Sequence, residues 1–196
     1  DWHTVGGGEA DHVVSDPSDP SVVYAGEYLG IFTRYDRRTR QARNVSAWPD
    51  NPSGHGASFP RYRFQWTAPI AVSPHDSATV YHGGNVLFRT TNEAPSWEAV
   101  SPDLTRNDAS KMGPSGGPIT KDNTSVEYYG TVFTFAESPV APGTLWAGSD
   151  DGLVTTAQGS LAGAKAVPVA HHRGRDRRVA TRRSARHAAR AVADLR

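Results

Sequence analysis

One pattern, written three times, limits what this chain can become. Asp16-Pro17-Ser18-Asp19-Pro20-Ser21-Val22-Val23-Tyr24-Ala25-Gly26 returns as Ser73-Pro74-His75-Asp76-Ser77-Ala78-Thr79-Val80-Tyr81-His82-Gly83, and again as Ser138-Pro139-Val140-Ala141-Pro142-Gly143-Thr144-Leu145-Trp146-Ala147-Gly148. In each copy a proline precedes an aromatic residue by seven positions (Pro17 to Tyr24, Pro74 to Tyr81, Pro139 to Trp146), and a small or polar residue and a glycine follow. A short apolar run stands before each copy: Val13-Val14, Ile70-Ala71-Val72 and Phe133-Thr134-Phe135-Ala136. Proline fixes φ and donates no backbone hydrogen bond, so it belongs in the turn, and the β-branched and aromatic residues on either side favour strands. The unit therefore reads strand, turn, strand, glycine. Its copies start 57 and 65 residues apart, the spacing of propeller blades that carry long insertions.

Around each copy the chain offers two more strands. After Tyr24 the alternation of Gly30-Ile31-Phe32-Thr33-Arg34-Tyr35 predicts a third strand, the polar stretch 36–40 a hairpin, and Ala42-Arg43-Asn44-Val45 an outer strand. The same reading places strands at Val86-Leu87-Phe88-Arg89 and Trp97-Glu98-Ala99-Val100 in the second unit. The predicted class is all-β. Residues 1–154 read as a partial β-propeller with four-stranded antiparallel blades at about 6–47, 66–101 and 130–154, separated by insertions at 48–65 and 102–129. In the third unit the pattern breaks off after Gly152-Leu153-Val154, with no fourth strand expected. The opening Asp1-Trp2-His3, without an initiator Met or an apolar leader, reads as a fragment or a processed product.

Charge divides the chain at the same place. Residues 155–196 hold ten Lys and Arg against two acids, a net +8, whereas residues 1–154 hold eleven bases against eighteen acids, a net −7. The basic tail admits three readings: a disordered solvated segment, a basic helix or arm that meets nucleic acid or anionic membrane only non-specifically through phosphate, or the product of a reading-frame shift in a GC-rich coding sequence. The abrupt change of composition favours the last, in which the tail has no evolved role. The chain has no Cys, which excludes disulfides and thiolate metal sites, and no apolar run approaches the length of a membrane span.

The stretch Thr90-Thr91-Asn92-Glu93-Ala94-Pro95-Ser96-Trp97 resembles the Asp-box hairpin of BNR-repeat proteins, Ser/Thr-x-Asp-x-Gly-x-Thr-Trp, with Asn92 at the Asp position and Ala94 at the Gly position. Asp1-Trp2 is similar to the tail of an earlier box. Trp48-Pro49-Asp50-Asn51-Pro52, Arg63-Phe64-Gln65-Trp66, Ser101-Pro102-Asp103-Leu104-Thr105 and Gly148-Ser149-Asp150-Asp151-Gly152-Leu153 extend the resemblance to bacterial BNR-repeat glycosyl-hydrolase-like and sortilin N-terminal-type propellers. That resemblance implies a hairpin in which the Asp caps backbone amides, the Gly takes the tight turn and the Trp packs between blades. It also implies a secreted or periplasmic location.

In a propeller the loops entering the innermost strands surround the mouth of the channel. Glu9, Asp11 and His12, then Gln65 and Trp66, then Glu127, Tyr128 and Tyr129 occupy those loops. Aromatic faces, carboxylates and amides are what sugar recognition needs. The same residues also read as blade packing (Trp66, Tyr129) and as solvated or amide-capping acids. A glycosidase needs two carboxyl groups across the sugar, for which Glu127 and Asp11 are the catalytic candidates and Asp150 and Asp151 further ones, although Asp150-Asp151-Gly152 also reads as a hairpin turn. Arg61 and Arg63 are available for an acidic ligand. Histidines are scattered, and Gly113-Pro114-Ser115-Gly116-Gly117 lacks the Lys-Ser/Thr of a phosphate loop, so no metal and no cofactor is expected. The function expected is a glycan- or peptide-binding scaffold, with a sialidase- or xyloglucanase-like glycoside hydrolase as the alternative.

Overall fold

The three repeated turns are built by one set of hydrogen bonds in the computed structural model, which describes residues 2–9, 11–158 and 165–168. Asp16 N donates to Val22 O at 3.0 Å, Ser73 N to Thr79 O at 2.9 Å, and Ser138 N to Thr144 O at 2.8 Å. The side chain of that first residue then accepts from amides inside its own turn. Asp16 Oδ1 takes Ser18 N and Asp19 N, Ser73 Oγ takes His75 N, and Ser138 Oγ takes Val140 N and Ala141 N. Such short polar side chains satisfy amides that the proline-bearing turn leaves without strand partners.

Each turn joins the first two strands of an antiparallel sheet. The first sheet contains β1 (Val13–Ser15), β2 (Val22–Glu27), β3 (Ile31–Asp36) and β4 (Gln41–Asn44) in that order. The second contains β5 (Ile70–Val72), β6 (Val80–Gly83), β7 (Leu87–Thr90) and β8 (Glu98–Ala99). The third contains β9 (Val132–Glu137), β10 (Thr144–Ser149), β11 (Leu153–Gln158) and β12 (Lys165–Pro168). The described chain is thus all-β, apart from single 3-10 turns at Tyr28–Gly30 and Ala109–Lys111.

Register repeats as well. Val14 pairs with Tyr24, Ala71 with Tyr81, and Ala136 with Trp146. The closing glycines lie opposite His12, Pro69 and Thr134, and they are glycines for a steric reason in the first two sheets. A Cβ on Gly26 would stand 2.6 Å from Asp11 Oδ2, and one on Gly83 would stand 2.8 Å from Pro69 Cγ.

Neighbouring sheets share their cores. Val22, Tyr24 and Phe32 of the first sheet pack with Ile70 and Val80 of the second. Tyr81 and Leu87 of the second pack with Val132, Leu145 and Ala147 of the third. The first strands sit beside the neighbouring sheet, β1 against β5 and β9 against β6. Burying an apolar side chain such as Phe32 completely contributes about 1.5 to 3 kcal/mol, so these two seams carry much of the fold's stability.

One sequence expectation is corrected here. The third sheet does not stop at Val154: β11 runs on to Gln158 and pairs with β12 through Leu153↔Pro168, Val154↔Val167, Thr155↔Ala166 and Thr156↔Lys165. The β-branched Thr155 and Thr156 continue the strand, while Ala166-Val167 in an Ala-rich context carries no alternation to announce its partner. The basic stretch 169–196, and with it the reading as helix, disordered arm or frame-shifted tail, lies outside the described residues. Within the described residues no helix is long and apolar enough to cross a membrane.

Candidate functional site

The two insertions meet. An isolated antiparallel bridge pairs Gln65 with Glu127, and Tyr128 Oη donates to His55 O at 2.9 Å, so the buried Tyr128 ring pins the second insertion to the first. Ser125 Oγ adds a bond to Pro52 O at 2.8 Å. Proline, glycine and serine keep these segments out of regular strands, and side-chain anchors take the place of a ladder.

Arg63 holds the junction against the sheets. Its buried guanidinium donates from Nε to Gly130 O at 2.9 Å and from Nη2 to Asp103 Oδ2 at 2.9 Å and Thr105 Oγ1 at 3.2 Å. Asn85 joins the same group, accepting from Arg63 N at 3.0 Å and donating from Nδ2 to Asp103 Oδ2 at 2.8 Å. Burial works against the charge on Asp103, but bonds from Thr105 and Asn85 and the Arg63 charge outweigh it and hold the carboxyl below its usual range. Arg63 is thus engaged inside the fold through Nε and Nη2. Arg61 lies with its guanidinium 5.0 Å from the Trp48 ring and 5.3 Å from the Tyr62 ring, so both arginines have partners within the chain.

A cavity of about 410 Å³ opens where the insertions meet. Glu127, Tyr129, Lys111, Asp122, Asn123 and Thr124 present polar groups and one aromatic ring to it. Lys111 Nζ stands 5.2 Å over the Tyr129 ring and 3.4 Å from its hydroxyl, and Thr124 Oγ1 donates to the Glu127 carboxylate. The volume is within the range of small-ligand sites. Carboxylates, amide and hydroxyl groups beside an aromatic ring can hold a polyhydroxylated molecule by hydrogen bonds and by its apolar C–H face.

Of the residues singled out from sequence, Glu127, Tyr128 and Tyr129 converge on this cavity, and Gln65 is bonded to its rim. Trp66 stands partly exposed beside Gln65, whose Oε1 accepts from Trp66 N at 2.8 Å. Glu9, Asp11 and His12 do not line it. Asp11 instead sits over Gly26 beside Ile70, at the seam of the first two sheets, with Oδ1 accepting from His12 N at 2.6 Å and Oδ2 buried without a hydrogen-bond partner among the described residues. Burial pushes this carboxyl up to about 7, opposed only by the His12 amide.

Asp150 and Asp151 form a turn. Asp150 Oδ1 caps Gly130 N and Thr131 N at 3.1 and 3.0 Å, and Asp151 Oδ2 accepts from Arg106 N at 2.5 Å while its carbonyl accepts from Arg106 Nε. Asp151 therefore fastens the second insertion to the β10–β11 hairpin, and Asp150 fastens the segment entering β9. Compared with models of known protein families and with curated protein sequences, the chain matches none. Among the described residues no three His, Asp or Glu side chains gather as a metal site would require.

Lys111, Asp122, Asn123 and Thr124 escaped the sequence reading. They lie in an insertion without periodicity, where polar residues are the rule, and the only available signal was their nearness in sequence to Glu127-Tyr128-Tyr129.

Proposed function

We propose that the three sheets are consecutive blades of a partial β-propeller of BNR-repeat type, and that the chain is a binding scaffold taking a glycan, or a peptide, at the cavity between its two insertions. The observation that carries the reading is the placement of Glu127 and Tyr129 together in a cavity built by long insertions on a rigid repeated frame. The hairpin before β8 supports the family. Asn92 Oδ1 accepts from Ser96 N at 3.4 Å and from Thr90 Oγ1 at 2.8 Å, Ala94 takes φ +74°, and Trp97 wedges against Phe32 of the neighbouring sheet while donating to Val45 O at 2.6 Å.

The position of Asp11 removes the one carboxyl pair, Asp11 with Glu127, on which the hydrolase reading rested. A hydrolase pairs a protonated carboxyl with a carboxylate across one sugar. The carboxyl of Asp11, pushed up to about 7, turns its Oδ2 into the seam between sheets and does not line the cavity with Glu127.

The test is a glycan-array screen of the full chain, followed by calorimetric titration with the sugar retained best. Glu127→Gln and Tyr129→Ala are expected to weaken binding about ten-fold or more, the value of a bond to a charged acceptor, and Asp11→Asn to leave it unchanged. Retention of no glycan, or an affinity indifferent to Glu127→Gln, would refute the glycan reading.

A further inference from the structure

Five of the ten residues 34–43, which form the end of β3, its hairpin and most of β4, are arginine. Two of the five have acidic partners. Arg34 Nη2 pairs with Glu93 Oε2, and Arg38 takes both acids near the turn, Asp36 through Nε and Nη2 at 3.0 and 2.8 Å and Asp19 through Nη1 at 3.0 Å. Arg37, Arg40 and Arg43 are exposed and make no ion pair among the described residues. Five arginines against Asp19, Asp36 and Glu93 leave this patch at +2, on a body whose residues 1–154 sum to −7.

The hairpin does not depend on those three side chains. Asp36 pairs with Gln41, which leaves residues 37–40 as the loop, and Asp36 Oδ1 accepts from Arg38 N at 2.9 Å while Thr39 Oγ1 donates to Asp36 O at 3.4 Å. Arg40 closes the loop at φ +57°, in the left-handed region where glycine sits without steric cost. An arginine kept there against backbone strain points to a role beyond the turn.

Two more groups come to the same place. Alternation puts Thr33 and Tyr35 on one face of β3, and the Gly6-Gly7 run lies close along that sheet: a Cβ on Gly6 would stand 2.6 Å from Thr33 Cγ2, and one on Gly7 2.8 Å from Gly26 O. Three residues before Gly6, the His3 ring reaches Tyr35 with centroids 5.7 Å apart. His3, Tyr35, Arg37 and Arg40 line a hollow of about 460 Å³, and no acidic side chain lines it among the described residues. None of the four lines the cavity between the insertions.

We propose that this hollow is a second binding site, which takes a phosphate or sulfate ester of a sugar-sized molecule. Each guanidinium offers paired N–H donors in the geometry that an oxyanion accepts, and such charge-assisted bonds are about twice as strong as neutral ones. A tetrahedral ester presents three terminal oxygens and so engages both Arg37 and Arg40, whereas a planar carboxylate is satisfied by one fork. The His3 imidazole and the Tyr35 phenol add N–H and O–H donors of their own. The hollow is within the size range of small-molecule sites, so it holds the carrier of the ester as well as the oxyanion.

The experiment is calorimetric titration of the full chain with glucose 6-phosphate and with glucose 6-sulfate, in low-salt buffer that contains neither anion, with glucose as the uncharged control. The expected result is binding of one or both esters with glucose weaker by about ten-fold or more, the tighter ester naming the oxyanion. Arg37→Gln and Arg40→Gly are each expected to weaken ester binding about ten-fold, the value of a bond to a charged group. Arg43→Gln, outside the hollow, and Glu127→Gln are expected to leave it unchanged. In urea denaturation Arg40→Gly is expected to match or exceed the parent's midpoint, because glycine relieves the left-handed backbone, so its loss of binding is not a loss of fold. Esters that bind no better than glucose, an affinity unchanged in Arg37→Gln, a weakening by Arg43→Gln as large as that by Arg40→Gly, or a lowered midpoint in Arg40→Gly would each overturn the proposal. Ester binding here and glycan binding at the insertions can each fail without the other.

Discussion

Replacing Arg63 with Met should loosen the frame and the cavity together. Deleting one partner of a buried ion pair costs about 3 to 5 kcal/mol. Here the Arg63 side chain is 7% exposed and Asp103 26%, and Asp103 keeps Asn85 Nδ2, Thr105 N and Thr105 Oγ1 as donors, which brings the loss on that side to the low end of the range. Gly130 O loses its bond from Nε as well, a further cost of about 1 kcal/mol. The net is about 4 kcal/mol, or about a thousand-fold in the unfolding equilibrium. With a urea slope of about 2 kcal/mol/M for a chain of this size, the midpoint should fall by about 2 M at unchanged slope. Tryptophan fluorescence during urea titration reads it. Arg63→Lys should rescue little, because one ammonium cannot serve the Gly130 carbonyl and the Asp103 carboxylate in the fork's geometry. Adding Asp103→Asn to Arg63→Met should cost less than the two single changes summed, since the stranded charge is gone. A midpoint shift under about 0.3 M for Arg63→Met, or full rescue by lysine, would refute the view that this guanidinium fastens insertion to sheet.

Two buried groups should oppose each other in the pH dependence of stability. Asp11, raised to about 7 by burial, binds its proton more tightly in the folded chain, so it makes stability fall as pH rises from about 4 to about 7. His82, enclosed by Phe32 and Phe64 and lowered to about 3 chiefly by burial, makes stability rise between about 3 and about 6.5. Thermal midpoints of the parent should stay nearly level from about pH 4 to about 6.5, rise with pH in Asp11→Asn and fall with pH in His82→Phe; identical profiles in all three would reject the assignment. The repeated glycines should differ in tolerance. Ala at Gly26 or Gly83 should cost about 1 to 3 kcal/mol by overpacking, whereas Ala at Gly148, whose Cβ would meet only the Thr134 methyl at 3.4 Å, should cost about 0.5 kcal/mol or less in chemical denaturation. Equal costs at the three positions would contradict the steric account.

Much of the frame was legible before any coordinates because it rests on short-range rules. Proline fixed the three turns, alternation at Ile31–Tyr35 named a strand, and the glycines marked the close approaches beside Asp11 and Pro69. β12 was not legible, since its four residues are defined only by pairing with Leu153–Thr156, a tertiary fact. The cavity was half legible. Glu127 and Tyr129 could be placed by their position before β9, but Lys111 and Asp122 reach the same space through an irregular loop whose path depends on Tyr128, Arg63 and Arg106 making contacts tens of residues away. Asp11 shows the opposite case: its sequence position matched that of Glu127, but the bare Gly26 beneath it drew the carboxyl into the seam between the sheets.

Spin labels at Pro17, Pro74 and Pro139, exposed and equivalent in the repeat, test the arrangement of the sheets most directly, because each pair can be introduced as the only cysteines in the chain. Three sheets turning about one axis predict equal 17–74 and 74–139 distances and a 17–139 distance clearly shorter than their sum. Unequal neighbouring distances, or a 17–139 distance equal to the sum, would mean a straight or irregular stack and would contradict the propeller account.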